Sequence, residues 1–142
     1  MSTDQPCSSN SMSNFQDVAE FHRTVLQMEE KAPQFLDATL LSQRVAFMFE
    51  ELAEFRDAYH DEDLVGAADA LADLVYVALG TAYQMGLPFD GIWDAVHNAN
   101  MTKVPGLTKR NIAVDAKKPA GWVGPEAKIQ AAIQNHATTF EE

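Results

Sequence analysis

Residues 64–83 read LVGAADALADLVYVALGTAY, and the only charges in the stretch are Asp69 and Asp73. Its length is that of a membrane span, but two aspartates near a bilayer centre would each cost about 2.5–3.5 kcal/mol. The stretch therefore predicts a core helix and no membrane. Leu71, Leu74, Val75, Val77 and Leu79 cover most of its circumference, and a helix apolar all round is expected to be buried. Asp69 and Asp73, four residues apart, share one face, and Tyr76, Gly80 and Gln84 continue that row. Buried carboxylates must be paired, hydrogen-bonded or metal-bound. Asp63 stands ready as N-cap, Gly86 as a left-handed stop, and Pro88 blocks continuation.

Upstream, an apolar pattern at three- and four-residue spacing predicts a helix from about Thr39 to Tyr59. Val45, Met48, Leu52, Phe55 and Tyr59 form the stripe expected to face the core. Glu50, Glu54 and Asp57 fall in one row on the other side, with Glu51 beside it. The short connection through 60–63 makes the two helices an antiparallel pair, which sets Asp69 near the height of Glu54 and Asp73 near Glu50 and Glu51. Five carboxylates then converge between the helices. Like charges so dense imply a cation, and all-oxygen donors suit Mg²⁺ or Mn²⁺. Mg²⁺ is typically shared between carboxylates and substrate phosphates, which points to a nucleotide. The competing reading is that Arg44 or Arg56 neutralises the aspartates.

Asn14 is a plausible N-cap for a first helix running through Phe15, Val18, Phe21, Val25 and Met28, and a fourth helix is expected from about Phe89 to Met101. No segment alternates with period two, so no sheet is expected. Beyond Val104, Pro105, Gly106, Pro119, Gly121, Gly124 and Pro125 punctuate a loop-rich tail, and a last short helix begins at Pro125. The predicted fold is all-α: a four-helix-type bundle over 14–104, a disordered N-terminus over 1–13, and a tail or lid with a short final helix over 105–142.

Twenty-one acidic against ten basic residues give a net charge of −11, which excludes a general nucleic-acid binder. The single cysteine, Cys7, forms no intrachain disulfide, and residues 1–13 carry no basic group or apolar run of a leader peptide, so a cytoplasmic location is expected. Phe47 and Phe49 leave the core stripe of the second helix, which suggests a homodimer or dimer of dimers that covers them.

The segment FEELAEF, with its E-E-x-x-E spacing at Glu50, Glu51 and Glu54, the acidic helix DALADLVYVALGTA, and HNANMTK at 97–103 resemble the all-α NTP pyrophosphohydrolases. That superfamily includes MazG-like enzymes, phosphoribosyl-ATP pyrophosphohydrolase and the dimeric dUTPases. The resemblance covers roughly 14–124, and KKPAGW at 117–122 looks like the tail of the dUTP-cleaving branch. It implies Glu50, Glu54 and Asp73 as metal ligands, with Glu51 binding metal or activating water. It also implies Asn100 and Lys103 on the phosphates, and conversion of a (d)NTP to (d)NMP and pyrophosphate in nucleotide-pool control. The family pattern on the second acidic helix is E-x-x-D, and Ala70 occupies the place of that Glu; Asp69 is the nearest substitute.

Half of the basic residues lie between 103 and 118, at Lys103, Lys109, Arg110, Lys117 and Lys118, opposed there only by Asp115. This local reversal of charge could cover a triphosphate as a lid, with Lys118 and Tyr76 joining the substrate-binding set, or be a solvated loop. Trp122 is expected to anchor the tail. His22 and His97 are read as ordinary surface or satisfied residues. Two other readings stay open: a non-catalytic nucleotide-binding scaffold, because of Ala70, and a di-iron carboxylate bundle, because Asp57-x-x-His60 and Asp94-x-x-His97 imitate its ligand spacing.

Overall fold

The computed structural model describes residues 11–141. Five helices dominate: α1 (Asn14–Thr24), α2 (Ala38–His60), α3 (Leu64–Gln84), α4 (Phe89–Asn100) and α5 (Glu126–Thr138). Between α4 and α5 lie two short antiparallel strands, β1 (Val104–Gly106) and β2 (Asp115–Lys117). The all-α expectation holds for the class, but the expectation of no sheet does not. Three-residue strands are too short to show alternation. The backbone divides into two compact units, one of residues up to 29 with 38–81, the other of 30–37 with 82–142. The expected disorder over 1–13 falls, for residues 1–10, outside the described residues.

In the first unit, Ser13 rather than Asn14 caps α1. Its hydroxyl accepts from the Gln16 N–H at 3.1 Å while the Gln16 side chain accepts from the Ser13 N–H at 3.2 Å, a reciprocal capping box. Only a Gln or Glu three residues on completes that motif, which decides the cap. The helix ends at Val25, short of the expected Met28, and Gln27 turns the chain with a φ of 54°. Val18, Ala19 and His22 are its buried face.

Helices α2 and α3 form the antiparallel hairpin that the sequence predicts. Asp63 caps α3, its Oδ1 accepting from the Gly66 N–H at 2.9 Å. The register is fixed at both ends. Near the open end, Arg44 donates to the Val77 carbonyl at 2.8 Å and to Thr81 Oγ1 at 3.0 Å. Near the turn, Ala58 lies within van der Waals reach of Gly66, whose missing Cβ makes room chiefly for the capping Asp63 carboxylate. Arg44, Met48, Glu51, Phe55 and Ala58 are the less exposed positions at heptad spacing, so they form the seam.

That seam takes Met48 and Phe55 of the expected core stripe and leaves out the rest. Val45, Leu52 and Tyr59 of the predicted core stripe are exposed, Tyr59 at 70%. Leu52 and Tyr59 stand beside Phe49 along an outer groove of about 880 Å³ that also takes in Phe55, Arg56 and His60. The physical reason is that α2 is apolar on more than one side. The side carrying Arg44 and Met48 turns to α3, and the other apolar side is left open. Helix α3 departs from expectation in the same way: Leu64, Val65, Leu71 and Val75 are exposed in the single chain, as are Phe47 and Phe49.

Both α1 and α2 reach α3 at Gly80. A Cβ there would stand 2.8 Å from Arg44 Nη2 and 2.9 Å from His22 Cε1. Neither neighbour is free to yield, because Arg44 is bonded to α3 and His22 Nδ1 bonds the Val18 carbonyl at 2.8 Å. Burial, opposed by the Val18 bond and assisted by the Arg44 charge, lowers the pKa of His22, which keeps a second cation away from Arg44.

In the second unit, α3 ends in a Schellman motif. Gly86 has φ 69°, its N–H donates to the Tyr83 carbonyl at 2.9 Å, and Leu87 N–H reaches Ala82 at 3.0 Å. Gly86 is required twice over, since a Cβ would fall 2.2 Å from the Lys31 carbonyl oxygen, where the 30–37 segment passes. That segment is tied by Gln34 N–H to Met85 at 2.9 Å, and Glu30 pairs with His136 of α5 at 2.9 Å. Helices α4 and α5 pack on one another.

Gly80→Ala should lower stability by roughly 1–3 kcal/mol, because overpacking at this junction outweighs the helix-propensity gain of alanine. A thermal melt checks it; an unchanged or raised Tm would show that the junction has slack.

Candidate metal centre

Glu51 occupies a seam position where a hairpin of this kind normally carries an apolar side chain. It is half-buried, and its Oε2 is buried with no hydrogen-bond partner among the described residues. Such an orphaned acceptor is costly unless something fills it. Burial raises its pKa above the usual carboxylate range; side-chain hydrogen bonding with Glu54, then like-charge repulsion from Glu54, Asp73 and Glu50, act in the same direction. Four of the five predicted carboxylates therefore bear on one spot. Asp73 does so from α3, across the seam, at the height the hairpin register assigns: the residue numbers of Arg44 and its partners, of Glu51 and Asp73, and of Ala58 and Gly66 add to nearly the same total, as antiparallel helices require.

Asp69 is different. It is exposed, and it is not among the charges acting on Glu51. The expectation that Asp69 is a buried charge in need of a partner is corrected: only one side of α3 is covered in the single chain. Ala70, at the place of the family Glu, is buried at 3% exposure. Neither arginine pairs with the aspartates. Arg44 is spent on Val77 and Thr81, and Arg56 pairs with its neighbour Asp57 at 3.1 Å. The same pairing occupies the acid of the Asp57-x-x-His60 imitation of a di-iron ligand pair.

Glu50, Glu51, Glu54 and Asp73 share a locality without closing into a cage. Among the described residues, no group of three or more His, Cys, Asp or Glu side chains is arranged to hold a metal ion. Glutamate carboxylates on a helix swing through several rotamers. The donor set, four hard oxygen ligands with one buried and unsatisfied, fits a hard divalent cation.

The remaining predicted residues are placed as follows. Tyr76 is exposed on α3, edge-on to Phe21 with ring centroids 5.5 Å apart, and burial, then Asp17 and Glu20, raise its pKa. Asn100 is the last residue of α4. Lys103 and Lys118 flank the β-hairpin, and both ammonium groups lie over the Trp122 ring, at 5.3 and 5.0 Å from its centroid. The Trp122 N–H donates to Thr102 Oγ1 at 2.9 Å and to the Ala99 carbonyl at 3.1 Å, so the expected anchoring of the tail by Trp122 is what the structure has. Arg110 is not available to a ligand in the same way. It is held by Asp115 at 2.6 Å, and Asp115, also bonded by Thr108 and the Ala116 N–H, titrates below the usual range. Sequence reasoning missed the His22–Arg44–Gly80 junction; a glycine well inside an apolar helix was the available signal.

Residues 18–100 match the phosphoribosyl-ATP pyrophosphohydrolase family. The chain belongs to that family. The match runs from within α1 to the end of α4, more than half of the chain, and includes the whole carboxylate seam. No curated protein matches the chain in sequence. Family membership makes it a pyrophosphohydrolase acting on a nucleotide-like substrate. The hairpin, Trp122 and α5 lie outside the matched residues.

Proposed function

We propose that the chain is a divalent-metal-dependent nucleoside triphosphate pyrophosphohydrolase, converting a (d)NTP and water to a (d)NMP and pyrophosphate in the cytoplasmic nucleotide pool. The observation that carries the reading is the buried, unpartnered Oε2 of Glu51 among Glu50, Glu54 and Asp73. Glu50, Glu54 and Asp73, with Glu51, would hold Mg²⁺ or Mn²⁺. That ion, when bound, supplies positive charge to the phosphoryl oxygens as negative charge develops on them. Glu51 serves as the base: a carboxylate with a free, partly desolvated oxygen takes the proton of the attacking water. The water oxygen bonds to phosphorus, the bridge between the α and β phosphoryl groups breaks, and pyrophosphate leaves with the electron pair. Asn100, Lys103 and Lys118 are assigned to the phosphates and Tyr76 to the rest of the substrate. Asp69 stands apart from this set.

Assembly as a homodimer or dimer of dimers belongs to the same proposal. It is supported by the exposed row of Phe49, Leu52 and Tyr59 on α2 and the exposed apolar face of α3, which together exceed the isolated apolar residues normal on a monomer.

Two measurements follow. With nucleoside triphosphate and Mg²⁺, phosphate should appear only after pyrophosphatase is added, and Glu51→Gln should lower kcat roughly 10²–10⁴-fold. Orthophosphate and a nucleoside diphosphate as first products would refute the reaction. In sedimentation at micromolar concentration the protein should run as a dimer or larger; an active monomer would refute the assembly.

A further inference from the structure

Between α1 and α3, inside the first unit, lies a cleft of about 370 Å³, within the size range of small-ligand sites. Val18 of α1 and Val75 and Leu79 of α3 give it apolar walls, and Asn14, Asp17 and Tyr76 are its polar groups. The Tyr76 ring is edge-on to Phe21, which holds it against α1. Burial, then the charges of Asp17 and Glu20, raise the Tyr76 pKa, so both carboxylates lie near its hydroxyl. No basic side chain lines the cleft, and among the described residues Asp17 is in no ion pair.

Asn14 and Asp17 are one helical turn apart and line the same side of the cleft. An ionised carboxylate only accepts hydrogen bonds, whereas an amide also donates them. A flat ligand that complements the pair presents two adjacent donors followed by an acceptor. Among the common nucleobases only guanine does so, with its 2-amino group and N1–H side by side and O6 beyond them. Adenine and cytosine would turn a ring-nitrogen lone pair toward the carboxylate, and uracil or thymine a single N–H between two carbonyl oxygens. Position agrees with this chemistry. Tyr76 follows Asp73 by three residues, about 4.5 Å along α3, so the cleft begins one turn from the carboxylate assigned to the metal, a separation that a ribose spans.

We propose that the cleft between α1 and α3 takes the base of the nucleotide and selects guanine, with Asp17 accepting from N1–H and the 2-amino group and Asn14 donating to O6. Tyr76, Val18 and Leu79 bound the ring. This assignment rests on the pyrophosphohydrolase reading, which leaves the base open, and it names the base. Asn14 and Asp17 precede residues 18–100 that match the family, so the selectivity comes from outside the matched segment.

The test is calorimetric titration of the full-length protein, with Mg²⁺ present, by GMP, IMP, AMP, CMP and UMP, which carry the same phosphate and sugar and are not turned over. GMP should bind roughly tenfold or more tightly than AMP, CMP or UMP, with IMP, which lacks the 2-amino group, in between. Asp17→Asn, which replaces one acceptor by a donor at constant size, should bring GMP down to the affinity of AMP and leave AMP nearly unchanged. Circular dichroism of the variant confirms that the helices persist. Equal affinity for all five, no binding of any of them at millimolar concentration, or a GMP preference that survives Asp17→Asn overturns the assignment. If the preference is found while no nucleoside triphosphate is hydrolysed, the catalytic reading fails and the base cleft stands. If triphosphates are hydrolysed but GMP is not preferred, the base cleft alone fails.

Discussion

The structure of the first unit depends on a carboxylate in a helix seam. In a paired helical hairpin, seam positions normally go to apolar side chains that exclude water and set the register. Here the middle position is Glu51, with Asp73 across from it, so the centre of the seam repels where it would ordinarily attract. Something else must hold α2 and α3 together, and it is found on either side. Arg44 spans to the Val77 carbonyl and Thr81 toward one end, and Ala58 lies against Gly66 at the other. Gly80 is part of the same arrangement, since only a residue without a side chain lets both Arg44 and His22 lie against α3. The contacts at the two ends offset the electrostatic cost in the middle, and a stable fold with a destabilised centre is the usual signature of a functional site.

The hairpin, its register and its caps were legible in the sequence because they rest on local chemistry: Asp63 before an apolar run, Gly86 after it, and a connection too short for anything but antiparallel neighbours. From that register the opposition of Glu51 and Asp73 follows by counting. What the sequence could not supply was the face of α2 that α3 takes. Two apolar rows compete there. Of the expected stripe, Met48 and Phe55 face α3, where Arg44 and Glu51 join them, while Val45, Leu52 and Tyr59 stay open. A single sequence does not say which apolar row is covered by its own chain. The same ambiguity led to Asp69 being read as buried, although the side of α3 that bears it is open in the single chain.

The tail shows the opposite balance. Its composition announced loops and basic charge, yet its order comes from pairs that no periodicity reveals. Arg110 and Asp115 bridge the hairpin, Thr108 adds a second bond to the same carboxylate, and Trp122 reaches back to the end of α4. Each pair joins residues at irregular spacing, and the two strands, at three residues each, are below the length at which alternation can be read. Trp122 is expected to anchor the tail; that Lys103 and Lys118 both lie over its ring is a contact that no periodicity reveals.

The central claim is that Glu51 and its three neighbours form a metal centre whose α3 ligand is Asp73 and not Asp69. Calorimetric titration with Mn²⁺ of the unchanged protein and of the Asp73→Asn and Asp69→Asn variants tests it without reference to any substrate. Asp73→Asn should weaken Mn²⁺ binding roughly tenfold or more, with Asp69→Asn close to the unchanged protein. Mn²⁺ affinity that survives Asp73→Asn, or that is lost with Asp69→Asn alone, would contradict the account.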